Sequence, residues 1–429
     1  MRRAWVLMLG CCLSLAMAAP EIFHQQLKNG LNVYVQVNQR APIVLSSVWY
    51  RVGSADEHNG ITGISHVLEH MMFKATSDYP SGAIGDFVNH VGGKFNASTT
   101  SDYTDYYEIV PKTYLPKLFF FEASRMHDLT FDPVVFKKEM SIVLSERNMR
   151  LSDQPKAFAY SRFMAADVSN PYHHPVIGWK ADLKQMTLSD VKTWYQRFYA
   201  PNNASLVVVG DVDPKAVFAL AQKAFGNIPK RALSTVKNRP EQTMLGARLV
   251  KLQLPATEPM IMMGFNVPSY LTAKTPKEAA TLLVLNSVLG MNNSSMLQSS
   301  LVRDQKIAAG VSSDYEPMMR YSTTLMMAAM PAPKVGLDTL QKAMFKQLVT
   351  LKTDLVKPEA LKRAKMQLLS SEVFQQGNLV DQSALIGDAV AHQLPPSSVT
   401  QFYQLIRGVS AGDVRRAANH YLVQDNLVE

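Results

Sequence analysis

The sequence has 429 residues, 47% of them hydrophobic and 18% charged, with a formal net charge of +9. That length exceeds one ordinary core and implies two or three globular units, and the composition excludes a disordered chain. No apolar run beyond the N-terminus approaches the roughly 20 residues of a membrane span, and no basic stretch interleaved with aromatics points to nucleic acid.

Met1-Arg2-Arg3 precedes an apolar run over residues 4–15, and Ala16-Met17-Ala18 fits the small-x-small site of a signal peptidase. Residues 1–18 are therefore expected to be a cleaved signal peptide, and the mature chain periplasmic or secreted. A lipoprotein at Cys11 is the alternative, but Met8-Leu9-Gly10 is a poor signal for one. Cleavage removes Cys11 and Cys12, the only cysteines, so the mature chain has no disulfide and no thiolate metal ligand. It also removes Arg2 and Arg3, taking the formal charge from +9 to +7; such an excess is the ordinary solubilising kind.

Residues 30–35, after an Asn-Gly turn, and 43–52 read as strands. A helix is expected over 63–74, a polar strand-like stretch over 92–110, and helices over 114–127, 132–150 and 188–199. Residues 205–210 read as a buried strand. A polar, basic, proline-containing stretch at 233–246 reads as a linker between an N-terminal unit at 19–232 and a C-terminal unit at 247–429. In the second unit, 248–254 and 260–266 read as strands and 277–289 as a long helix. Ala411-Gly412-Asp413-Val414 through His420-Tyr421 to Asp425-Asn426-Leu427 echoes Leu188-Ser189-Asp190-Val191 through Phe198-Tyr199 to Asn202-Asn203 and the strand beyond. The counterpart of the 206–209 strand is nearly absent. The expected fold class is α+β: two similar domains, each a mostly antiparallel sheet backed by helices.

The sharpest motif is His66-Val67-Leu68-Glu69-His70. On a helix, residues four apart share a face, so both imidazoles reach one metal ion. Glu69 then stands beside the second histidine, near enough to take a proton from a metal-activated water. The order His-x-x-Glu-His is the inverzincin pattern. Taken alone, it also suits an amphipathic helix with surface histidines. A catalytic zinc needs a third protein ligand, and the 132–150 helix offers Glu139 and Glu146, two turns apart on one face. Glu146 suits a ligand and Glu139 a group orienting a histidine; solvated surface acids are the alternative.

With Glu146 lying 76 residues after His70, the pattern resembles the pitrilysin family, which includes insulin-degrading enzyme and mitochondrial processing peptidase. Gly92-Gly93-Lys94-Phe95-Asn96-Ala97-Ser98-Thr99 is similar to that family's edge strand. Tyr199-Ala200-Pro201-Asn202-Asn203, Val209-Gly210-Asp211-Val212 and the Asn170 to Pro175 segment with Gly178 carry the likeness further. The resemblance implies a zinc endopeptidase with His66, His70 and Glu146 on Zn2+, Glu69 as general base and Glu139 in support. It also implies a peptide substrate pairing with the strand Phe95, Asn96, Ala97, Ser98 and Thr99 by β-augmentation, which favours short or unfolded chains.

One part of the pattern departs. Arg303 matches a family arginine that helps bind substrate, but the tyrosine expected seven residues later is Gly310. Either Tyr315 substitutes, with Tyr321 also nearby, or a zinc-less homologous partner supplies the Arg/Tyr pair in a heterodimer. The second is the reading adopted. The 277–289 helix has no His-x-x-Glu-His, so one zinc per chain and an inactive second domain are expected. His173 and His174, in a proline-bounded loop, are expected to be structural, and the 23 methionines to be core fillers. Two rival functions remain, a non-catalytic scaffold of the same fold and a periplasmic metal-binding protein.

Overall fold

A computed structural model describes residues 21–167, 169–233, 246–254, 258–374 and 377–429. The expected signal peptide at 1–18 and residues 234–245 of the expected linker lie outside the described residues.

The first sheet comprises β1 (Ile22–Gln26), β2 (Asn32–Val37), β3 (Ile43–Tyr50), β4 (Lys94–Thr99), β5 (Thr104–Pro111) and β6 (Ala204–Gly210). Their order is β1-β2-β6-β3-β5-β4, antiparallel throughout except for β2 and β6. The strand-like stretch at 92–110 is thus a hairpin, with β4 on the sheet edge. Among the described residues this sheet is accompanied by the α-helices α1 (Ile64–Met71), α2 (Ala83–His90), α3 (Leu115–His127), α4 (Pro133–Arg147), α5 (Pro155–Ala165), α6 (Lys180–Gln185), α7 (Leu188–Phe198) and α8 (Pro214–Phe225). Local chemistry sets their starts. Asp132 accepts from the amides of Val134 and Val135 while Pro133 opens α4. Thr187 and Asp190 form a capping box on α7.

The second sheet comprises β7 (Ile261–Val267), β8 (Ala308–Asp314), β9 (Thr323–Pro331) and β10 (Leu427–Val428), ordered β10-β7-β9-β8 and wholly antiparallel. With it come α9 (Pro276–Leu289), α10 (Leu337–Thr353), α11 (Pro358–Phe374), α12 (Leu379–Ala391), α13 (Ser397–Arg407) and α14 (Ala411–Tyr421). The strand order repeats β6-β3-β5-β4, and the echo in sequence has a physical basis: Ser410 and Asp413 cap α14 as Thr187 and Asp190 cap α7. The fold class is the expected one. One expected strand, 248–254, is reduced to a parallel bridge between Arg248 and Val428. Arg248 N donates to Leu427 O at 2.9 Å and Val250 N to Glu429 O at 2.7 Å.

Helix α12 of the second half covers the first sheet. Its Ile386, Val390 and Ala391 pack on Trp49, Val207 and Val209, while α1, α3, α7 and α8 cover the opposite face. With both faces covered, β3 and β6 are buried almost throughout, so their sequences read as apolar runs without alternation. The exchange is reciprocal: Phe163 of α5 packs on Gly264 of β7, where a Cβ would sit 2.5 Å from the Phe163 ring. Among the described residues no helix is long and apolar enough to cross a membrane.

A polar cluster joins the halves at the β4–β5 turn. Asp102 accepts from Arg320 N at 2.9 Å, from the Tyr172 hydroxyl at 2.9 Å and from His392 Nε2 at 3.1 Å. Arg320 also pairs with Asp56 at 2.7 Å. Burial by itself would lower His392, but Asp102 and Asp388 outweigh it and hold the imidazole above its ordinary value. A raised histidine stabilises the fold fully below its unfolded value, about 6.5, and loses that contribution as pH rises through the folded value. Urea unfolding is therefore expected to show stability falling as pH rises above about 6.5, with a shallower fall in His392→Gln.

Candidate metal centre

Helix α1 starts at Gly63, which holds φ +89°. Ile64, Val67, Leu68 and Met71 face the first core, which turns His66, Glu69 and His70 toward α4. Glu146 of α4 meets them. Its Oε2 lies 3.4 Å from His70 Nε2 and 3.7 Å from His66 Nε2. One donor atom from each of the three residues falls within 4.8 Å of the others, the one such group among the described residues.

Several groups hold this arrangement. Glu139, only 4% exposed, faces His70 Nδ1 at 3.3 Å and Lys74 Nζ at 2.9 Å. Thr99, at the end of β4, donates its hydroxyl to Glu69 Oε2 at 2.5 Å. Burial raises Glu69 above the ordinary carboxylate value, against the opposing bond from Thr99. Burial, then the nearby charges of His70 and Arg150, pulls His66 down to about 3, so its imidazole is neutral at working pH.

The N-terminus of α1 is anchored from three sides. Glu57 accepts from Gly63 N at 2.7 Å and Ser65 N at 2.9 Å, with His174 Nδ1 3.8 Å away. Asp182 accepts from the Thr62 hydroxyl at 2.6 Å, and that hydroxyl accepts from Trp179 N at 2.9 Å. Gly178 lies against Thr62 and Gly63 so closely that a Cβ there would sit 2.3 Å from the Thr62 carbonyl oxygen. Arg147, next to Glu146, donates Nε to Gly178 O at 2.9 Å, so the end of α4 is fastened to the segment that carries α1.

The donor set fits zinc. Two neutral imidazoles and a carboxylate are a hydrolytic zinc's usual ligands, and donors on a tetrahedron with bonds of ~2.0–2.1 Å stand about 3.3 Å apart, close to the 3.4 and 3.7 Å between Glu146 and the two imidazoles.

A family model described as insulinase, peptidase family M16, matches residues 32–178, and one described as the peptidase M16 inactive domain matches 185–368. The zinc protease PqqE of Helicobacter pylori is 30% identical over 402 residues, covering 92% of this chain and 89% of that protein. This chain belongs to peptidase family M16. The likeness read from the motif is therefore correct. Within the family, a probable mitochondrial-processing peptidase subunit beta of Arabidopsis thaliana is 23% identical over 96% of this chain and 78% of that protein. The crystal structure of a Helicobacter pylori protease matches with a TM-score of 0.88 at 28% identity, over 95% of this chain and 98% of the other.

Of the residues singled out in sequence, His66, Glu69, His70, Glu139, Glu146 and Thr99 come together. Phe95 and Ala97 share the inward face of β4 with Thr99, and Asn96 and Ser98 point outward. Arg303 does not join them: its guanidinium donates to Asn293 O and the Ser299 hydroxyl within its own segment. Tyr315 is buried and donates its hydroxyl to Pro268 O at 2.7 Å. Lys74, Glu57, Arg147 and Arg150 escaped sequence reasoning, although Lys74 and Arg150 each follow a candidate ligand by four residues. Gly178→Ala is expected to lower stability by about 1–3 kcal/mol through overpacking and to weaken hydrogen-exchange protection of the α1 amides first. Unchanged protection there would refute the anchoring role.

Proposed function

We propose that this protease-family chain is a zinc-dependent endopeptidase for short or unfolded peptides, with His66, His70 and Glu146 as ligands and Glu69 as general base. The observation that carries the reading is the convergence of three donors from two helices within 4.8 Å, with a half-buried carboxylate one residue away. When bound there, zinc supplies Lewis acidity and makes water a nucleophile near neutral pH. Glu69 takes the proton of the attacking water and returns it to the leaving amine. Its raised proton affinity suits that exchange, and Thr99 fixes one carboxylate oxygen so that the other is free to work. Glu139, held by Lys74, keeps the proton of His70 on Nδ1 and leaves Nε2 as donor.

Substrate is proposed to add a strand to β4. That strand ends the sheet order, so among the described residues one side of its backbone has no partner strand, and its last residue touches Glu69. The residues before 19 are proposed to export the chain to the periplasm or beyond. A homologous partner without zinc is proposed to supply the Arg/Tyr pair, because Arg303 is tied to its own segment and the Tyr315 hydroxyl is spent on Pro268.

Glu69→Gln is expected to cut turnover of a quenched fluorescent peptide by about 10²–10⁴-fold while zinc content, read by atomic absorption, stays the same. Bound zinc without any Glu69-dependent turnover would favour the scaffold instead. Turnover by the purified chain is expected to rise when the partner is added; full activity of the chain alone would remove the need for one.

A further inference from the structure

The two oxygens of Glu146 have different surroundings. Oε2 faces both imidazoles, at 3.4 and 3.7 Å, whereas Oε1 lies 2.6 Å from Arg150 Nη2. Arg150 sits in a π-helical turn, Asn148–Ser152, that continues directly from α4. Such turns are rare and recur at functional sites. Here the turn brings a guanidinium back onto the carboxylate four residues earlier.

The plain reading is a surface ion pair, since the Arg150 side chain is 66% exposed. Pairs of that kind contribute little to stability. The Glu146 side chain, however, is only 17% exposed, and the contact divides its oxygens between two tasks. A charge-assisted bond on Oε1 fixes the plane of the carboxylate and leaves Oε2 alone turned inward. A hydrolytic site needs one coordination position kept open for water. A carboxylate free to rotate brings both oxygens to the ion and fills it.

We infer that Arg150 is a positioning residue that restricts Glu146 to one-oxygen ligation and so keeps the position beside Glu69 open. This rests on reading His66, His70 and Glu146 as the metal ligands. Neither of the other two cations near the ligands does this work. Lys74 acts on His70 through Glu139, and Arg147 points away to Gly178.

Cobalt(II), loaded into the metal-depleted full chain, reports ligation through its visible absorption. The wild type is expected to give the intense bands of a low-coordinate ion. Arg150→Gln is expected to bind one equivalent with weaker, shifted bands, and Arg150→Lys to restore most of the wild-type spectrum. Turnover with zinc should fall on the order of 10–100-fold in Arg150→Gln, chiefly in kcat, with unfolding of the metal-free protein unchanged. A spectrum altered by Glu146→Gln but identical in Arg150→Gln and wild type overturns the inference and leaves the ligand assignment standing. A spectrum that Glu146→Gln does not alter overturns both.

Discussion

The close approach of Gly178 to Thr62 and Gly63 is the contact on which the chemistry depends. Two imidazoles four residues apart on a helix face one point by helical geometry alone. The carboxylate has no such local guarantee, because 76 residues separate Glu146 from His70. Its position is set by how near α4 lies to α1, and that distance is fixed where Arg147 grips Gly178 O and Gly178 presses on the start of α1. No side chain fits between these backbones, and both glycines adopt positive φ, +89° and +83°, which other residues rarely hold. Glu57 and Asp182 then satisfy amides and a hydroxyl at that buried helix start, where unpaired donors would be costly.

The two halves are interlocked by more than a shared boundary. Helix α12 closes one sheet and α5 reaches the other, so each half completes its partner's core. The polar cluster around Asp102 fixes the register of that exchange at the turn directly after Thr99. Thr99 in turn holds Glu69, the carboxylate proposed as general base. The edge strand, the base and the junction therefore form one continuous mechanical path, and loosening the junction shifts the strand on which substrate is proposed to lie.

Much of this was legible in sequence because the relevant signals are local. The four-residue histidine spacing, the Pro133 start of α4 and the Thr187 and Ser410 caps each follow from short-range physics. The residues that fasten the site did not announce themselves. Arg147 and Glu57 act on backbone atoms brought near by tertiary packing, and a backbone carbonyl carries no sequence signature. Residues 248–254 misled for a related reason. Their apolar residues suit a strand, but among the described residues only one bridge, between Arg248 and Val428, forms there. Arg303 shows another limit: its motif is recognisable, but the hydrogen bonds of its guanidinium to Asn293 O and the Ser299 hydroxyl are not written in that motif.

The second half carries the same scaffold without counterparts of the proposed metal ligands. In each half a strand is tied to a helix through a hydroxyl: Ser313 of β8 donates to the backbone carbonyl of Asn286 in α9, and Thr99 of β4 to the side-chain carboxylate of Glu69 in α1. That contact equates Asn286 with Glu69, and so Leu283 with His66 and Ser287 with His70. Counting from the prolines that open α4 and α11 equates Ala364 with Glu139 and Ser371 with Glu146. No imidazole or carboxylate survives at any of these positions. Where His70, Glu139 and Lys74 interlock in the first half, the second has Ser287 and Ala364 on the wall of a cavity of about 380 Å3. Long polar side chains have been exchanged for short ones without the helices closing the gap. With neither imidazole nor carboxylate at these positions, this half offers no zinc ligand set of the usual kind there; its α12 packs on the first sheet, whose edge and helices carry the proposed chemistry.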